Sequence, residues 1–360
     1  MMRQSPFPVV FRERVPLAPY TSLGIGGPAR YLAEVETEAQ VIESLEFGEA
    51  RKLPVFILGG GSNIVASDAG FDGLVVRIAL RGIRHKSGGV FVAAAGEEWD
   101  PFVRRCVEHG LVGIECLSGI PGTVGGTPVQ NVGAYGQEVG EVIVAVRALD
   151  RNARHVVELN NKACGFAYRT SIFNTACRER YVVLSVTYAL RAGDKPRVAY
   201  PDLIRYFSDR TDSPSLAEVR EGVLHIRDRK SMVIRPGDPN ARSAGSFFKN
   251  PLVPADKAAQ AEEAARCRGS LKRGEIMPQY PMPEGMVKLS AAWLIENAGF
   301  TKGYSRGRVG LSSRHTLALI NRGGATAQEL LDLMRDVQSA VRHFFGVELV
   351  PEPVFVGFDK

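Results

Sequence analysis

The sequence predicts an α+β fold with two domains, on the basis of three observations. The chain has 360 residues, whereas a single hydrophobic core stops growing at about 250–300 residues. Segments rich in β-branched residues alternate with segments whose apolar residues recur at helical spacing. Strand-like segments predominate in the first half, and the second half contains more helical patterns.

β-Strands are predicted where short apolar or alternating segments end in turn residues. The segment 53–58 (LPVFIL) is followed by three glycines, which is typical of a buried strand that enters a loop. The other predicted strands cover residues 74–78, 90–95, 142–149, 181–190 and 354–358.

Capping residues and apolar stripes mark the predicted helices. Thr37 and Gln40 match a capping box, and so do Thr326 and Glu329 at the start of the last long helix. Gly346 is suited to end that helix. The remaining predicted helices cover residues 99–109, 215–226, 255–267 and 291–298.

A polar passage separates the two predicted domains. It contains Pro196, Pro201 and Pro214, which disfavour a continuous helix, so we expect a mobile connection there. The predicted organisation is an N-terminal extension (1–19), a first domain (20–192), the connection (193–214) and a C-terminal domain (215–360).

The composition excludes several classes of protein. Apolar residues make up 45% of the chain and charged residues 23%, which is typical of a globular protein rather than a disordered or fibrous one. The net charge of +6 favours anionic ligands without requiring nucleic acid. The five cysteines are scattered and form no CxxC pair, which indicates neither a zinc site nor a disulfide framework. We expect a reduced cytoplasmic compartment, no signal peptide and no membrane span.

The segment 58–63 (LGGGSN) is the first of two glycine-rich loops. Glycines allow a backbone to approach a ligand closely, and consecutive amides can form a concave anion site. The alternative is a plain turn, which is the more common role of a glycine run. The segment matches neither the GxGxxG nor the GxxxxGK[ST] pattern, so a Walker-type ATPase is not expected.

The second loop, 118–136 (SGIPGTVGGTPVQNVGAYG), holds six glycines in nineteen residues. An ordered surface loop without a ligand is one interpretation. The presence of two such loops in one half of the chain favours a backbone cradle around a large flat ligand and its pyrophosphate.

Six motifs in order give the sequence a specific resemblance. They are 20–30 (YTSLGIGGPAR), 58–63, 118–136, 168–174 (YRTSIFN), 242–251 (RSAGSFFKNP) and 351–357 (PEPVFVG). Together they span nearly the whole chain, and the sequence resembles the UDP-N-acetylenolpyruvoylglucosamine reductase (MurB) family.

This resemblance implies a flavoprotein of peptidoglycan synthesis. Residues 20–192 would form an FAD-binding domain of the vanillyl-alcohol-oxidase (PCMH-like) type, and residues 215–360 a UDP-sugar-binding domain. NADPH would reduce noncovalently bound FAD, and the enolpyruvyl ether of the UDP-sugar would then be reduced to UDP-N-acetylmuramate. The implied protein is a cytoplasmic monomer or weak oligomer that serves cell-wall biogenesis, cell shape and cell division. Its partner is a small molecule, not nucleic acid or a membrane.

The resemblance assigns FAD binding to the two glycine loops. The implied cofactor-binding residues are Gly59, Gly60, Gly61, Ser62, Asn63, Ser118, Pro121, Gly122, Gly125, Gly126, Gln130, Asn131, Gly133 and Ala134.

Three further residues match the family's catalytic groups. The reaction builds negative charge on the enolpyruvyl carboxylate, so it needs a cation or an acidic donor there and a proton donor for the adjacent carbon. Arg169 matches the enolate-stabilising arginine, Ser246 the proton donor and Glu352 a second carboxylate-facing group that would hold a proton. The respective alternatives are a surface ion pair, a capping or turn serine, and an exposed glutamate. Where the family commonly has Pro-Glu-Val-Arg, this chain has Pro-Glu-Pro-Val354.

The implied substrate-binding residues are Tyr200, Arg227, Lys230, Asn250 and His315. Tyr200 resembles the tyrosine of the family's mobile substrate loop. Arg227 and Lys230 would meet the diphosphate as a planar fork and a point charge. His315 is equally compatible with a surface histidine, and the histidines show no metal-like spacing.

Two other functions are compatible with parts of the sequence. One is a flavin oxidoreductase of the same fold that oxidises an alcohol or a hydroxy acid. The other is a polyanion-binding protein that uses the basic stretch 220–250, although Phe247 and Phe248 are the only aromatic pair in that stretch and no nucleic-acid motif occurs.

Overall fold

The computed structural model describes residues 8–193 and 195–358. The predicted N-terminal extension and connection therefore lie partly outside the described residues, at residues 1–7 and 194. The α-helices, in chain order, are Glu38–Ala50 (α1), Trp99–Glu108 (α2), Asn161–Cys164 (α3), Pro201–Tyr206 (α4), Leu216–Arg229 (α5), Ala255–Cys267 (α6), Ala291–Asn297 (α7) and Ala327–Phe345 (α8).

Short strands predominate among the extended segments. They are Arg12–Pro16 (β1), Pro28–Val35 (β2), Val55–Leu58 (β3), Ile64–Ala66 (β4), Phe71–Ile78 (β5), Ile83–His85 (β6), Val90–Ala94 (β7), Leu111–Val112 (β8), Gly133–Ala134 (β9), Gln137–Glu138 (β10), Ile143–Asp150 (β11), His155–Asn160 (β12), Tyr181–Ala189 (β13), Arg191–Ala192 (β14), Leu252–Pro254 (β15), Gln279–Pro281 (β16), Met286–Leu289 (β17), Ser305–Arg306 (β18), Val309–Leu311 (β19), Leu319–Asn321 (β20) and Val354–Val356 (β21).

The described residues divide into two compact units. Unit 1 comprises residues 8–15, 29–61, 71–193 and 195–233, and unit 2 comprises residues 16–28, 62–70 and 234–358. The division is discontinuous because the chain enters unit 2 twice before residue 234. Helix α5 belongs to unit 1 in this division, whereas residues 215–233 are predicted from sequence to belong to the C-terminal domain. The reason is apolar packing, since Val219 and Val223 of α5 share a buried cluster with Cys116 and Leu203.

Two sheets organise unit 1. In the first, with strand order β1-β2-β5-β3, β5 pairs in parallel with both β2 and β3. The second is antiparallel and has the order β12-β11-β13-β7-β6. Its core includes Trp99, Phe102 and Tyr188, and the Tyr188 hydroxyl is satisfied by Thr127 Oγ1 at 2.8 Å. A buried phenol that keeps a hydrogen bond avoids the desolvation cost of an unpaired polar group.

Unit 2 combines three small sheets with α6, α7 and α8. Strands β15-β17-β16 and β18-β19-β20 form antiparallel sheets, whereas β21 pairs in parallel with β4. The N-terminus of α8 is held by Asp68, whose two carboxylate oxygens accept the Ala327 and Gln328 amides at 2.7 and 2.9 Å. This acceptor sits where a helix leaves its first amides unsatisfied and where the helix dipole favours negative charge.

Most elements predicted from sequence are confirmed. The capping boxes of α1 and α8 form at Thr37–Gln40 and Thr326–Glu329, and α6 has the predicted bounds. The polar connection contains the short helix α4, which starts with Pro201 at a position that needs no amide hydrogen. As expected, no continuous helix runs through the described part of the connection. The α+β class is confirmed. No helix among the described residues is both long and apolar enough to cross a membrane.

Gly357 provides a stability test of the close backbone packing in unit 2. Its φ is +77°, and a Cβ there would lie 1.8 Å from the Gly70 carbonyl oxygen. Gly346 has a similar φ of +63°, but a Cβ there would meet no described heavy atom within 4 Å. We expect Gly346→Ala to cost about 1 kcal/mol, the penalty of the left-handed backbone alone. Gly357→Ala should cost more than about 3 kcal/mol, because backbone must also move. Urea unfolding measures both, and equal losses would contradict the packing argument.

Candidate active site

The two predicted glycine loops are in direct contact within unit 1. A Cβ on Gly60 would lie 2.6 Å from the Gly122 Cα, and one on Gly59 would lie 2.9 Å from Thr123 Oγ1. Real Cβ atoms do not tolerate the shorter distance, so glycine at position 60 is what allows the loops to touch. The structure therefore brings together two segments that the sequence only suggested were related.

The centre of the long loop is fixed to the end of β7. The Val124 amide donates to the Glu97 carbonyl at 2.8 Å, and the Gly125 amide donates to the Ala95 carbonyl at 2.9 Å. A Cβ on Gly125 would lie 2.6 Å from the Ala95 Cβ, whereas one on Gly126 would meet no described heavy atom within 4 Å. Glycine is thus needed for packing at position 125, and position 126 faces open space.

Two predicted cofactor-binding side chains are occupied by contacts inside unit 1. Asn131 is buried, and its Nδ2 donates to Glu138 Oε2 at 2.7 Å and to the Ala167 carbonyl at 3.0 Å. Its Oδ1 accepts the Gly140 amide at 2.9 Å. The buried Ser118 donates to the Glu115 carbonyl at 2.6 Å. These two side chains stabilise the loop, so any hydrogen bonds from Ser118 and Asn131 to a ligand would come from their backbone groups.

Arg169 lies against the last part of the long loop. Its Nη2 donates to the Gly133 carbonyl at 2.8 Å, and its backbone has a φ of +55°. Ser171 Oγ donates to the Val129 carbonyl at 2.6 Å, which ties the two segments together a second time. A non-glycine residue in the left-handed region is uncommon, and Arg169 is one of nine such residues among those that the structure describes.

Three predicted substrate-binding residues gather around Tyr135 in unit 1. The Tyr200 ring meets the Tyr135 ring edge-on at a centroid distance of 5.3 Å, and Lys230 Nζ lies 5.9 Å from the Tyr135 centroid. Burial raises the pKa of Tyr135 to about 12, with Arg227 acting in the opposite direction. The phenol therefore keeps its proton near neutral pH and can act as a hydrogen-bond donor.

Arg227 is the most deeply buried cation of this group, with 6% of its surface exposed. Its Nη2 donates to the Met232 carbonyl at 2.7 Å, whereas its buried Nε has no hydrogen-bond partner among the described residues. Burial lowers the pKa of Arg227. A buried donor without a partner is costly, and an anionic ligand would relieve that cost.

Lys230 forms an ion pair with a residue of the predicted connection (193–214). Its Nζ lies 2.6 Å from Asp202 Oδ2 on α4. Helix α4 packs on α5 through the buried Leu203, and a Cβ on Gly222 would lie 2.9 Å from the Tyr206 ring. The segment predicted to be a mobile connection is thus docked by an apolar contact and by one ion pair.

Ser246 and Glu352 are brought together in unit 2. The Glu352 amide donates to the Phe247 carbonyl at 2.9 Å, and the Lys249 amide donates to the Val350 carbonyl at 3.0 Å. Antiparallel pairing of these two segments sets Phe247 opposite Glu352, and Ser246 directly precedes Phe247 in the chain. The two segments that carry these candidate catalytic residues, far apart in the sequence, are therefore paired.

The other motifs of unit 2 converge on the same pairing. Ser22 Oγ donates to the Ser243 carbonyl at 2.6 Å and to the Ser62 carbonyl at 3.3 Å. Asn63 Nδ2 donates to the Glu352 carbonyl at 3.3 Å, across 289 positions of sequence. Within unit 2, these hydrogen bonds thus link Ser22 to Ser62 and Ser243, and Asn63 to Glu352.

The remaining predicted substrate-binding residues lie elsewhere in unit 2. Asn250 Oδ1 accepts the Ala291 amide at 3.0 Å, so this side chain supports the start of α7. His315 is half-buried in a turn that Asn240 Oδ1 supports by accepting the Ser313 amide at 2.9 Å. The substrate roles of Asn250 and His315 remain predictions. Among the described residues, no group of three or more His, Cys, Asp or Glu is arranged to hold a metal ion.

Sequence reasoning missed Tyr135 and Asp202 as members of the site. Tyr135 lies within the second glycine loop. It is an aromatic residue in a segment otherwise poor in large side chains, and this contrast could have identified it as a candidate site residue. No local sequence pattern indicates a role for Asp202, because its ion pair with Lys230 joins residues 28 positions apart.

Comparison with family models first defines the class of protein. Residues 29–158 match the FAD binding domain family, and residues 238–356 match the C-terminal domain of UDP-N-acetylenolpyruvoylglucosamine reductase. The chain is therefore a flavin-dependent oxidoreductase.

Individual relatives then define the family. The UDP-N-acetylenolpyruvoylglucosamine reductase of Thermobifida fusca is 46% identical to this chain, with 96% of this chain and 98% of the relative covered. That of Streptomyces coelicolor is also 46% identical, with 97% and 91% covered. The crystal structure of the Thermus caldophilus enzyme matches with a TM-score of 0.65 and 26% identity, covering 96% of this chain and all of that one. The chain belongs to the UDP-N-acetylenolpyruvoylglucosamine reductase family, and the predicted resemblance is confirmed.

The ion pair between Asp202 and Lys230 predicts the protease sensitivity of the connection. We expect Asp202→Asn to loosen α4 and to raise the rate of chymotryptic cleavage after Tyr206 severalfold, since local opening exposes the backbone. Cleavage after Arg205 would be a poorer measure, because Arg205 itself pairs with Asp202. Asp212→Asn is a matched control in the same connection, because Asp212 is exposed and pairs with Arg210 instead. Equal cleavage rates in the two variants would show that the ion pair does not hold α4.

Proposed function

We propose that this chain catalyses the NADPH-dependent reduction of UDP-N-acetylglucosamine enolpyruvate to UDP-N-acetylmuramate through noncovalently bound FAD, a step of peptidoglycan synthesis. The observation that supports the proposal is the backbone pairing of the segment that contains Ser246 with the segment that contains Glu352, in a chain of this family. Neither residue alone distinguishes this reaction from other flavin chemistry.

The residues of unit 1 fit the flavin nucleotide. The backbones of Gly60 and Gly122 are in contact, and position 126 faces open space. Both features are expected of a loop whose backbone surrounds a ligand. Arg227, a proposed substrate-binding cation, adjoins this loop, because its buried Nε lies 3.3 Å from where a Cβ on Gly119 would lie and has no hydrogen-bond partner among the described residues. When bound, FAD reduced by NADPH supplies the hydride that adds to the terminal carbon of the enolpyruvyl group.

Arg169 is proposed to bind the enolpyruvyl carboxylate. A guanidinium remains charged and can donate to both carboxylate oxygens, which suits the negative charge that develops there. Its bond to the Gly133 carbonyl and its left-handed backbone hold the side chain before substrate arrives, so little reorientation is needed during the reaction.

Ser246 is proposed to donate the proton to the carbon next to the carboxylate. A serine hydroxyl is a weak acid, so the donor must be held close to the carbon as charge develops. Glu352 is proposed to be the second group that faces the enolpyruvyl carboxylate, where negative charge develops.

The substrate's diphosphate and sugar are proposed to be bound by Tyr200, Arg227, Lys230, Asn250 and His315. Lys230 would exchange Asp202 for a phosphate oxygen, because both partners are anionic acceptors. The protonated phenol of Tyr135 adds a donor beside these cations. We further propose a cytoplasmic location, where the nucleotide substrates reside, and a monomer or weak oligomer that binds neither nucleic acid nor a membrane.

The proposed function predicts a yellow protein with two separable half-reactions. NADPH should bleach the flavin absorbance anaerobically, and the enolpyruvyl UDP-sugar should restore it. In Ser246→Ala, bleaching by NADPH should persist while reoxidation slows by a factor of at least about 100, the usual contribution of a positioned proton donor. Stopped-flow absorbance measures both steps.

Ser305→Ala serves as a control for that experiment, because Ser305 is exposed and lies outside the predicted site. A colourless protein with no response to NADPH would contradict the proposed function. Equal slowing of both half-reactions would remove Ser246 from the proton-donor role.

The open space beside Gly126 predicts that a substitution there weakens FAD binding without destabilising the apoprotein. In Gly126→Ala the new methyl group meets no described heavy atom of the chain, so the apoprotein should unfold within about 0.5 kcal/mol of the unmodified chain. FAD affinity should fall at least about tenfold, because the methyl group would occupy the cradle. Titration of apoprotein with FAD, followed by flavin fluorescence, measures the affinity. Unchanged affinity would show that position 126 does not face the cofactor.

A further inference from the structure

We propose that Asp100 is a positioning residue for the flavin-binding loop and that, through Arg220, it couples this loop to helix α5. The proposal deepens the proposed function and rests on FAD binding at the second glycine loop. Asp100 belongs to none of the motifs that identify the family, and its role follows from contacts inside unit 1.

The first residues of α2 hold the beginning of the glycine loop at three points. Trp99 Nε1 donates to the Leu117 carbonyl at 3.0 Å, and the Trp99 amide donates to the Gly122 carbonyl at 3.1 Å. Between these points, the Gly119 amide donates to Asp100 Oδ1 at 2.6 Å. The Trp99 side chain is buried in the core, so both ends of the segment 117–122 are fixed to a rigid element.

The Asp100 carboxylate is the only one of these three acceptors that carries a charge. Gly119 has a φ of +71°, a left-handed conformation that glycine adopts without strain and that aims its amide at Asp100. A charged acceptor makes a shorter and stronger hydrogen bond than a neutral one. Loss of the carboxylate would therefore release the middle of the segment while leaving its ends in place.

Arg220 fixes Asp100 from α5. Its Nη1 and Nη2 reach Asp100 Oδ1 and Oδ2, each at 2.8 Å, and the Arg220 side chain is only 11% exposed. Burial alone would raise the pKa of Asp100, but hydrogen bonds from Arg220 and the Gly119 amide more than offset this and hold the pKa below its usual value. The pair is therefore ionised at neutral pH and has a defined two-point geometry.

Helix α5 contacts the glycine loop directly, and it carries the cations Arg227 and Lys230 that are proposed to bind the substrate. A Cβ on Gly119 would lie 2.8 Å from Leu224 Cδ2 and 3.3 Å from Arg227 Nε, so α5 is packed against this glycine. Lys230 follows as the C-cap of α5. A shift of Gly119 therefore requires a shift of α5, which makes the position of the flavin loop and the position of Arg227 and Lys230 interdependent.

Asp150 and Arg180 provide a matched control for a purely structural ion pair. Arg180 reaches both Asp150 oxygens at 2.7 to 3.2 Å, and Asp150 also accepts backbone amides, from Asn152 and Ala153. This pair resembles that of Asp100 and Arg220 in its two-point geometry and its bonds to backbone amides, although the Asp150 side chain is more buried than that of Asp100. None of its hydrogen bonds reaches either glycine loop.

The test compares FAD affinity and stability in Asp100→Asn and Asp150→Asn apoproteins. Both variants should lower the thermal midpoint, since each removes a charge from a paired guanidinium. Only Asp100→Asn should weaken FAD binding at least about tenfold, measured by flavin fluorescence. Addition of saturating UDP-N-acetylmuramate should change the FAD affinity of the unmodified chain and of Asp150→Asn, and this dependence should be reduced in Asp100→Asn.

Arg220→Gln keeps the proposal testable if Asp100→Asn does not fold, because it leaves the Gly119–Asp100 bond in place. It should weaken FAD binding to a smaller extent and should also reduce the dependence on UDP-N-acetylmuramate. Equal FAD affinities in Asp100→Asn and Asp150→Asn would overturn the proposal. Absence of FAD binding by the unmodified chain would instead overturn the proposed function, so the two failures are distinguishable.

Discussion

Close backbone contact at glycine positions is the constraint on which the rest of this structure depends. In unit 1, Gly60 approaches Gly122 so closely that a single methyl group would separate the two loops. In unit 2, a Cβ on Gly27 would lie 2.1 Å from the Asp68 carbonyl, and one on Gly357 would lie 1.8 Å from that of Gly70. Such contacts leave amides and carbonyls of loop segments near one another, where they can surround a ligand without interference from side chains. The family motifs that are rich in glycine thus have a packing role in both units, in addition to the cofactor role proposed for unit 1.

Buried charge gives the site of unit 1 its chemical character. Asp100 is paired with Arg220 and accepts a loop amide, whereas the buried Arg227 keeps an Nε without a partner among the described residues. A paired charge avoids the cost of an uncompensated one, and a buried cation with an unused donor favours an anionic ligand. The phenol of Tyr135 remains protonated beside that cation, which adds a neutral donor. The arrangement therefore separates groups that hold the loop from groups that are available to a phosphate or carboxylate.

Pairing of distant segments organises the catalytic candidates of unit 2. The strand-like segment after Ser246 pairs with the segment that ends at Glu352, and Asn63 contacts the Glu352 carbonyl. The departure from the family pattern at Val354 falls within this region. Val354 begins β21 and pairs with Ile64, so its β-branched side chain suits the parallel strand, and its backbone bond to the Asn63 carbonyl does not depend on the side chain. The position that commonly carries arginine in the family therefore contributes sheet structure here.

The sequence by itself determined the elements whose stabilising interactions are local, and the family. Thr37 with Gln40 and Thr326 with Glu329 act across three residues, and the apolar stripes of α2 and α8 repeat within one helix, so pattern alone located these elements. Only the tertiary structure decided that residues 16–28 and 62–70 join unit 2, that α4 docks on α5, and that Asp202 pairs with Lys230. It also decided that Asp100 accepts the Gly119 amide while holding Arg220. These contacts join residues far apart in the chain, and their energy depends on which surfaces the folded chain brings together, a property that no local pattern of residues encodes.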